Sequence, residues 1–267
     1  MDEDAAHPLH SACFAMVPYC NRIARGRFAF SGRAVDLAPN RDGHPHPLHG
    51  TSWLRPWRVV RSDAAGALLE DDYAGDADWP WPYRAHQHVA LDEAGCTIRL
   101  MVENRADGPA PIGLGFHPYL RRAPDTRVAF GAQAMLGIDA DCLADGTTHP
   151  ADALAPWGEG SPLPGSLVDH CFTGWGGTAR VTDSHGTITL RSFGAPHCHV
   201  FAPPDGAQLC IEPVSHTPDA LNCEPEAMPV VPPGCAAGIA LRIEAQAAGH
   251  PARPVQTDID APPAAPA

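Results

Sequence analysis

Long apolar runs, a cationic surface and paired cysteines are all missing from this chain, and each absence removes a class of function. No stretch of about 18 apolar residues occurs, so no helix is expected to span a bilayer. Lys and Arg number 18 against 31 Asp and Glu, for a formal net charge of −13. That leaves no basic field for a phosphate backbone or an anionic lipid surface, so nucleic acid and membrane are not expected as partners. The opening MDEDAAHPLHSACF is acidic and has no cationic stretch leading into an apolar one, the pattern of an export signal. The nine cysteines are an odd number, scattered from Cys13 to Cys235 without a CxxC pair. This argues against a disulfide framework and a thiolate zinc site and for reduced thiols in a cytoplasmic protein.

Helix signals are scarce too, because no window of about a dozen residues joins a 3.6-residue apolar period with freedom from internal Gly and Pro. Strand signals are frequent. In RFAFSGRAVDL, Phe28 and Phe30 share a face, Ser31-Gly32 makes a turn, and Val35 and Leu37 resume the alternation, which predicts a two-residue hairpin. HQHVALDEAGCTIRLMVEN and TARVTDSHGTITLRS repeat the scheme around Glu93-Ala94-Gly95 and Ser184-His185-Gly186. Later strands are expected at HCHVFAP, AQLCIEP and AAGIALRIEA. With 44% hydrophobic and 18% charged residues the chain is apolar enough to fold, and the pattern predicts an all-β, antiparallel sandwich or barrel. One domain is expected over residues 1–248, followed by a disordered Pro/Ala-rich tail over 249–267. The Pro-, Trp- and His-rich segments 38–58 and 73–86 read as long loops, where function concentrates.

Fifteen histidines raise the question of a metal. His44, His46 and His49, the pair His86/His88 and the pair His197/His199 are the candidates, since an HxH pair on a strand turns both rings to one face. None has a third ligand at telling spacing, so no metal is expected. His117, in PIGLGFHPYL, sits in an apolar strand end before a proline and reads either as a satisfied core histidine or as a general acid tuned by burial. Glu212, in AQLCIEPVSHTPDALN, reads as the end of an apolar strand facing solvent or a pocket. In PLHGTSWLRPW, His49 and Arg55 beside Trp53 and Trp57 form either an anchored loop or a wall suited to a pyranose ring.

Taken together and in order, these segments resemble the aldose 1-epimerase family. MVPYCNRIARGRFAFSGRAVDL resembles its Asn-Arg-Ile stretch and following hairpin, LHG its His-Gly loop, and GFHPYL the segment of its catalytic histidine. SLVDHCFTGW resembles the segment of a sugar-binding Asp, CIEPVSHTPDALN that of the catalytic Glu, and VVPPGCAAGIALRIE the closing turn and strand. The likeness spans roughly residues 13–244 and is strongest to the shorter bacterial members. It implies a galactose mutarotase-like sandwich that interconverts the anomers of a free aldose without a cofactor. Glu212 is implied as base and His117 as acid, with Asn21, Arg22, His49 and Asp169 binding the monosaccharide. Arg55, Trp53 and Trp175 are further candidates for the pocket wall.

The resemblance is imperfect at the start. Family members carry several strands before the Asn-Arg-Ile stretch, whereas twenty residues precede Asn21, so either the start lies upstream or an edge of the sandwich is missing and leaves apolar surface and backbone exposed. After Pro233 the chain also has GCA where the family has an acidic residue following the glycine. For His117, burial and the nearby Glu212 carboxylate are expected to offset each other. Three alternatives stay open: a hexose 6-phosphate epimerase using Arg22, Arg25 and Arg27, a sugar-binding protein without turnover, and a metal-dependent cupin.

Overall fold

The computed structural model describes residues 8–249; nearly all of the tail assigned to 249–267 lies outside them. Alternating apolar residues and short turns build two large antiparallel sheets. From edge to edge the seven-stranded sheet runs Cys13–Met16, Gly115–Arg121, Gln208–Val214, His197–Ala202, Val168–Thr173, Ala134–Ile138 and Ala144–Pro150. The nine-stranded sheet runs Ser161–Pro162, Arg127–Phe130, Thr178–Asp183, Gly186–Phe193, Ala236–Ala247, Gly95–Asn104, Tyr83–Asp92, Gly66–Tyr73 and Arg58–Asp63. A continuous apolar core fills the space between them, joining Phe116, Ile211, Val200 and Phe172 of the first sheet to Leu100, Val102, Leu190 and Leu241 of the second. This is the all-β antiparallel sandwich that the strand pattern predicts.

The hairpins form where the turn chemistry places them. Arg27–Phe30 pairs with Arg33–Asp36 across Ser31 (φ 49°) and Gly32 (φ 78°), the left-handed pair that matches strand twist. Phe28 and Val35 of this hairpin are buried, and Phe28 stacks on Trp79 and Trp81. The other two hairpins turn at Glu93-Ala94 and Ser184-His185, with Gly95 and Gly186 already inside the returning strands. Segment 38–58 holds only a short 3-10 turn at Ser52–Leu54 and isolated bridges at Leu48 and Gly50 before the strand that starts at Arg58. Segment 73–86 is shorter as a loop than expected, because Tyr83–Asp92 is a strand and takes His86 and His88 with it.

The seven-stranded sheet is buried on both faces, which positions the site. Strand periodicity sends Ala15, Phe116, Ile211, Cys198 and Phe172 into the core between the sheets. Phe14, His117, Glu212, His199 and Cys171 therefore point to the opposite face, and all five are buried as well. The cover is chain from segment 17–24 and from the long loop 38–57. The edge strand Cys13–Met16 is not left bare: Phe14, Ala15 and Met16 are 7%, 4% and 0% exposed, and Phe14 and Met16 form a satellite apolar cluster with Cys20, Trp53 and Val214. The loop is stitched beside it by Thr51 N–H and Ser52 N–H donating to Val17 O at 2.9 and 3.1 Å. Apolar side chains are thus covered at this edge, whereas the far edge strand Arg58–Asp63 of the other sheet leaves Val59 and Val60 exposed.

That loop depends on one glycine. Gly50 has φ 76°, and a Cβ there would stand 2.0 Å from Val17 O, well inside contact distance. His49 before it, also left-handed at φ 59°, is thereby turned back toward the sheet.

Candidate active site

Sheet register assembles the site from segments far apart in sequence. Phe14 lies opposite His117, His199 opposite Glu212 and Cys171 opposite His199. His117 lies across from Glu212 in the register set by Cys210↔Tyr119 and Val214↔Gly115. Between those two pairings the ladder is open, and the interval contains Pro118 and Pro213, neither of which has an N–H to donate. Contrary to the sequence expectation, Glu212 is not at a strand end. The strand continues through Pro213 to Val214, held on its other side by unbroken pairing to His197–Ala202.

His117 and Glu212 are the central pair, with Nε2 3.4 Å from Oε1. The imidazole is stacked between Phe14 and Tyr119, at centroid distances of 4.6 and 4.8 Å, and His49 meets it edge-on at 5.2 Å. Burial pushes the His117 imidazole down to about 3, with the His199 cation acting in the same direction. Burial pushes the Glu212 carboxyl up to about 7 against the opposing pull of the His199 cation. The expected offset at His117 does not occur, because desolvation dominates. When the pair carries a single proton, these opposite shifts favour the carboxyl over the imidazole.

A second pair stands beside the first. His199 Nε2 is 2.6 Å from Asp169 Oδ1, and Arg22 Nη2 donates to Asp169 Oδ2 at 3.2 Å. Burial lowers the His199 imidazole, but the Asp169 hydrogen bond and charge outweigh it and raise the ring to about 10. Burial likewise works to raise the Asp169 carboxyl, and His199 and Arg22 together hold it well below the usual carboxylate range. Asn21 ties the group together: Oδ1 accepts from Arg22 N–H at 2.9 Å, and Nδ2 lies 3.4 Å from the His199 ring. The backbone N–H of Asn21 donates to His49 Nδ1 at 3.2 Å. Burial also lowers His49 well below its ordinary value, so its neutral ring carries the proton on Nε2.

The structure thus brings together all six residues singled out from the sequence: Glu212, His117, Asn21, Arg22, His49 and Asp169. Of the further candidates, Trp53 adjoins the site by stacking on Phe14 at 5.5 Å and donates its ring N–H to Leu48 O at 2.9 Å. Arg55 is directed elsewhere, to Asp71 at 3.0 Å and over the Tyr73 ring, and Trp175 donates to Thr178 O in its own turn. A depression of about 750 Å³ opens on the Trp53 side, lined by Leu9, Trp53 and the stretch Pro39–His44. A separate cavity of about 220 Å³, lined by Tyr19, Arg55, Tyr73 and Asp76 among others, contains none of the six.

The sequence reading missed His199. Its signal was the HCH motif, weighed only as a metal pair. His197 lies one row away on the same face, half-buried, and His199 is committed to Asp169. His86 approaches Glu70 at 3.1 Å, and His46 accepts from Arg25 N–H at 2.9 Å. Among the described residues, the donors that do converge are those of His117, Cys210 and Glu212, a set that no sequence spacing announced. Of the arginines that a phosphorylated substrate would call on, Arg22 is held by Asp169 and exposed Arg27 pairs with Asp36.

Fold and site together define a sandwich with a buried cluster of ionisable side chains on the outer face of one sheet. The chain belongs to the aldose 1-epimerase family, which it matches over residues 2–234. It is 30% identical over 220 residues to the uncharacterised protein YphB of Escherichia coli (strain K12), covering 78% of this chain and 74% of that one. The crystal structure of an Escherichia coli K12 protein provisionally named an aldose 1-epimerase superposes with a TM-score of 0.84 at 27% identity, over 92% of this chain and 87% of that one. The GalM/aldose epimerase homologue of C. elegans shares the fold, with a TM-score of 0.73 at 19% identity over 87% and 82% of the two chains.

Proposed function

We propose that the protein is an aldose 1-epimerase that interconverts the α and β anomers of a free monosaccharide. The observation that carries this reading is the buried His117–Glu212 pair at 3.4 Å, within a fold whose relatives include named epimerases. Ring opening requires removal of the anomeric hydroxyl proton and protonation of the ring oxygen. Rotation about the first carbon–carbon bond and reclosure then run the same transfers backwards. Glu212 is the base and His117 the acid, and such assistance is worth roughly 10²–10⁴-fold.

The proton inventory supports this division of labour. One proton is shared by the pair throughout. It sits on His117 before ring opening and has in effect passed to Glu212 once the aldehyde has formed. The ligand-free preference for protonated Glu212 and neutral His117 matches the open-chain stage, so the closed sugar must draw the proton toward His117 as it binds. The His49 Nε2–H and the Arg22 guanidinium face charge developing on the ring oxygen, a preorganised electrostatic contribution. Asn21 and Asp169 serve as hydrogen-bonding partners of the sugar hydroxyls. No step calls for a redox group.

Polarimetry on freshly dissolved α-glucose, α-galactose and a panel of pentoses tests the reading. Acceleration of optical-rotation decay for at least one sugar is expected. Uncatalysed rates across the whole panel would reject it and leave a sugar-binding role on the same fold.

A further inference from the structure

The acid–base pair has a neighbour that mutarotation does not use. Cys210 precedes Glu212 by two residues on one strand and so presents its thiol to the same face. Its Sγ, a His117 ring nitrogen and a Glu212 oxygen lie within 4.8 Å of one another. The three residues are 1%, 6% and 2% exposed. Cys210 is a free thiol, and His117, which faces Glu212 through Nε2, has its Nδ1 buried without a hydrogen-bond partner.

From this convergence we infer that His117, Cys210 and Glu212 form a binding site for a thiophilic divalent cation of the zinc type, whose occupancy blocks the acid–base pair. The donor set of thiol, imidazole and carboxylate selects zinc-like ions and disfavours magnesium and calcium, which take oxygen ligands. Tetrahedral zinc with nitrogen and oxygen at about 2.0 Å places those donors about 3.3 Å apart, and His117 Nε2 and Glu212 Oε1 already stand 3.4 Å apart. A sulfur at about 2.3 Å from the metal would stand about 3.5 Å from the others, a small movement from the limit of 4.8 Å. The fourth position remains for water.

Charge favours the arrangement. A divalent ion with one thiolate and one carboxylate sums to zero, which reduces the cost of placing the ion in a buried site. Burial holds the Cys210 thiol above its ordinary range, so the thiol is neutral before the ion arrives. Coordination deprotonates it outright. One proton passes from sulfur to water, and a second follows from Glu212 in molecules that hold it there. The His199 cation opposite Glu212 opposes entry, and its charge is balanced by Asp169 at 2.6 Å. Once the ion is bound, the Glu212 oxygen and the His117 nitrogen are ligands and can neither accept nor donate the reaction's protons.

Binding is independent of the functional reading, whereas the block rests on it, and the experiment separates the two. The full chain is titrated with Co2+, whose thiolate charge-transfer absorption reports sulfur ligation, and the ion is then displaced with Zn2+. The expected result is saturation at one equivalent and loss of the band in Cys210→Ser. In that variant Zn2+ affinity should fall by more than the roughly 10–100-fold that loss of an outer partner costs. Glu212→Gln should weaken the ion as well. A band that persists in Cys210→Ser, or no band in the wild type, overturns the site whether or not the protein turns over any sugar. Where mutarotation is measurable, Zn2+ should stop the wild type, a chelator should restore it, and Cys210→Ser should keep its basal rate and resist inhibition. Zn2+ bound at Cys210 without loss of rate overturns the block.

Discussion

Two histidine–carboxylate pairs stand side by side on adjoining strands, and their opposite behaviour explains the site. His117–Glu212 and His199–Asp169 are all nearly inaccessible, at 6%, 2%, 3% and 4% exposure. In the first pair burial prevails and both groups are driven toward neutrality; in the second the ions prevail. Burial does not distinguish them. Asp169 has a second cation in Arg22 and a short bond to His199, so its charge is matched from two sides. Glu212 meets His117 at a longer distance, with Phe14 and Tyr119 on the faces of that ring instead of polar groups. The lesson is that a buried pair becomes a fixed ion pair or a proton-transfer pair according to how many further charges it is given.

The strongest way to break the contrast is to disable the movable pair. Glu212→Gln keeps the shape of the protonated carboxyl but cannot accept a proton, so mutarotation should fall by roughly 10²–10⁴-fold with the circular dichroism spectrum unchanged. Near wild-type rates would remove Glu212 from the base role. His117→Asn should cost as much, and activity surviving there would move the acid role to His49.

The next effect sharpens the comparison through pH. With His117 near 3 and Glu212 near 7, the pair carries one proton between those values, and kcat/KM should follow a bell with limbs there, belonging to the pair as a whole. The acidic limb is thus governed by the imidazole and the basic limb by the carboxyl. His199 lowers both groups, so His199→Gln should move both limbs upward, by on the order of one pH unit. Limbs that stay in place would separate the fixed pair from the movable one.

The smallest effect concerns stability. His199 titrates at about 10 when folded against an ordinary value of 6.5. The ion pair's contribution is therefore fully present below pH 6.5 and is lost as pH rises through about 10. Urea denaturation midpoints should decline across that window in the wild type and show a weaker decline in His199→Gln. Equal slopes in the two proteins would show that His199 is neutral in the fold.

Much of this was legible in the sequence, for identifiable reasons. The Ser31-Gly32 turn and the strands around it follow from local chemistry, since few residues accept left-handed backbone and strand faces alternate with a period of two. The six candidate residues were singled out by motif order, and the fold brings them together. Less legible was segment 73–86, where Trp- and Pro-rich composition suggested loop and Tyr83–Asp92 formed a strand between two partners. His199 was missed because its meaning depends on a neighbouring strand.

What the sequence determined by itself was the class of fold, the excess of acidic over basic residues, and the parity that sends His117, Glu212 and His199 to one face of their strands. What only the tertiary structure decided was which strands became neighbours, and with that the company each ionisable group keeps. Asp169 is 30 residues from His199 and 147 from Arg22; sheet order, set by non-local burial, brings them into contact. The protonation of Glu212 and His117 was settled there as well, because desolvation is a property of everything packed around a group, and the loop that buries this site is held in place only once Gly50 lies against Val17.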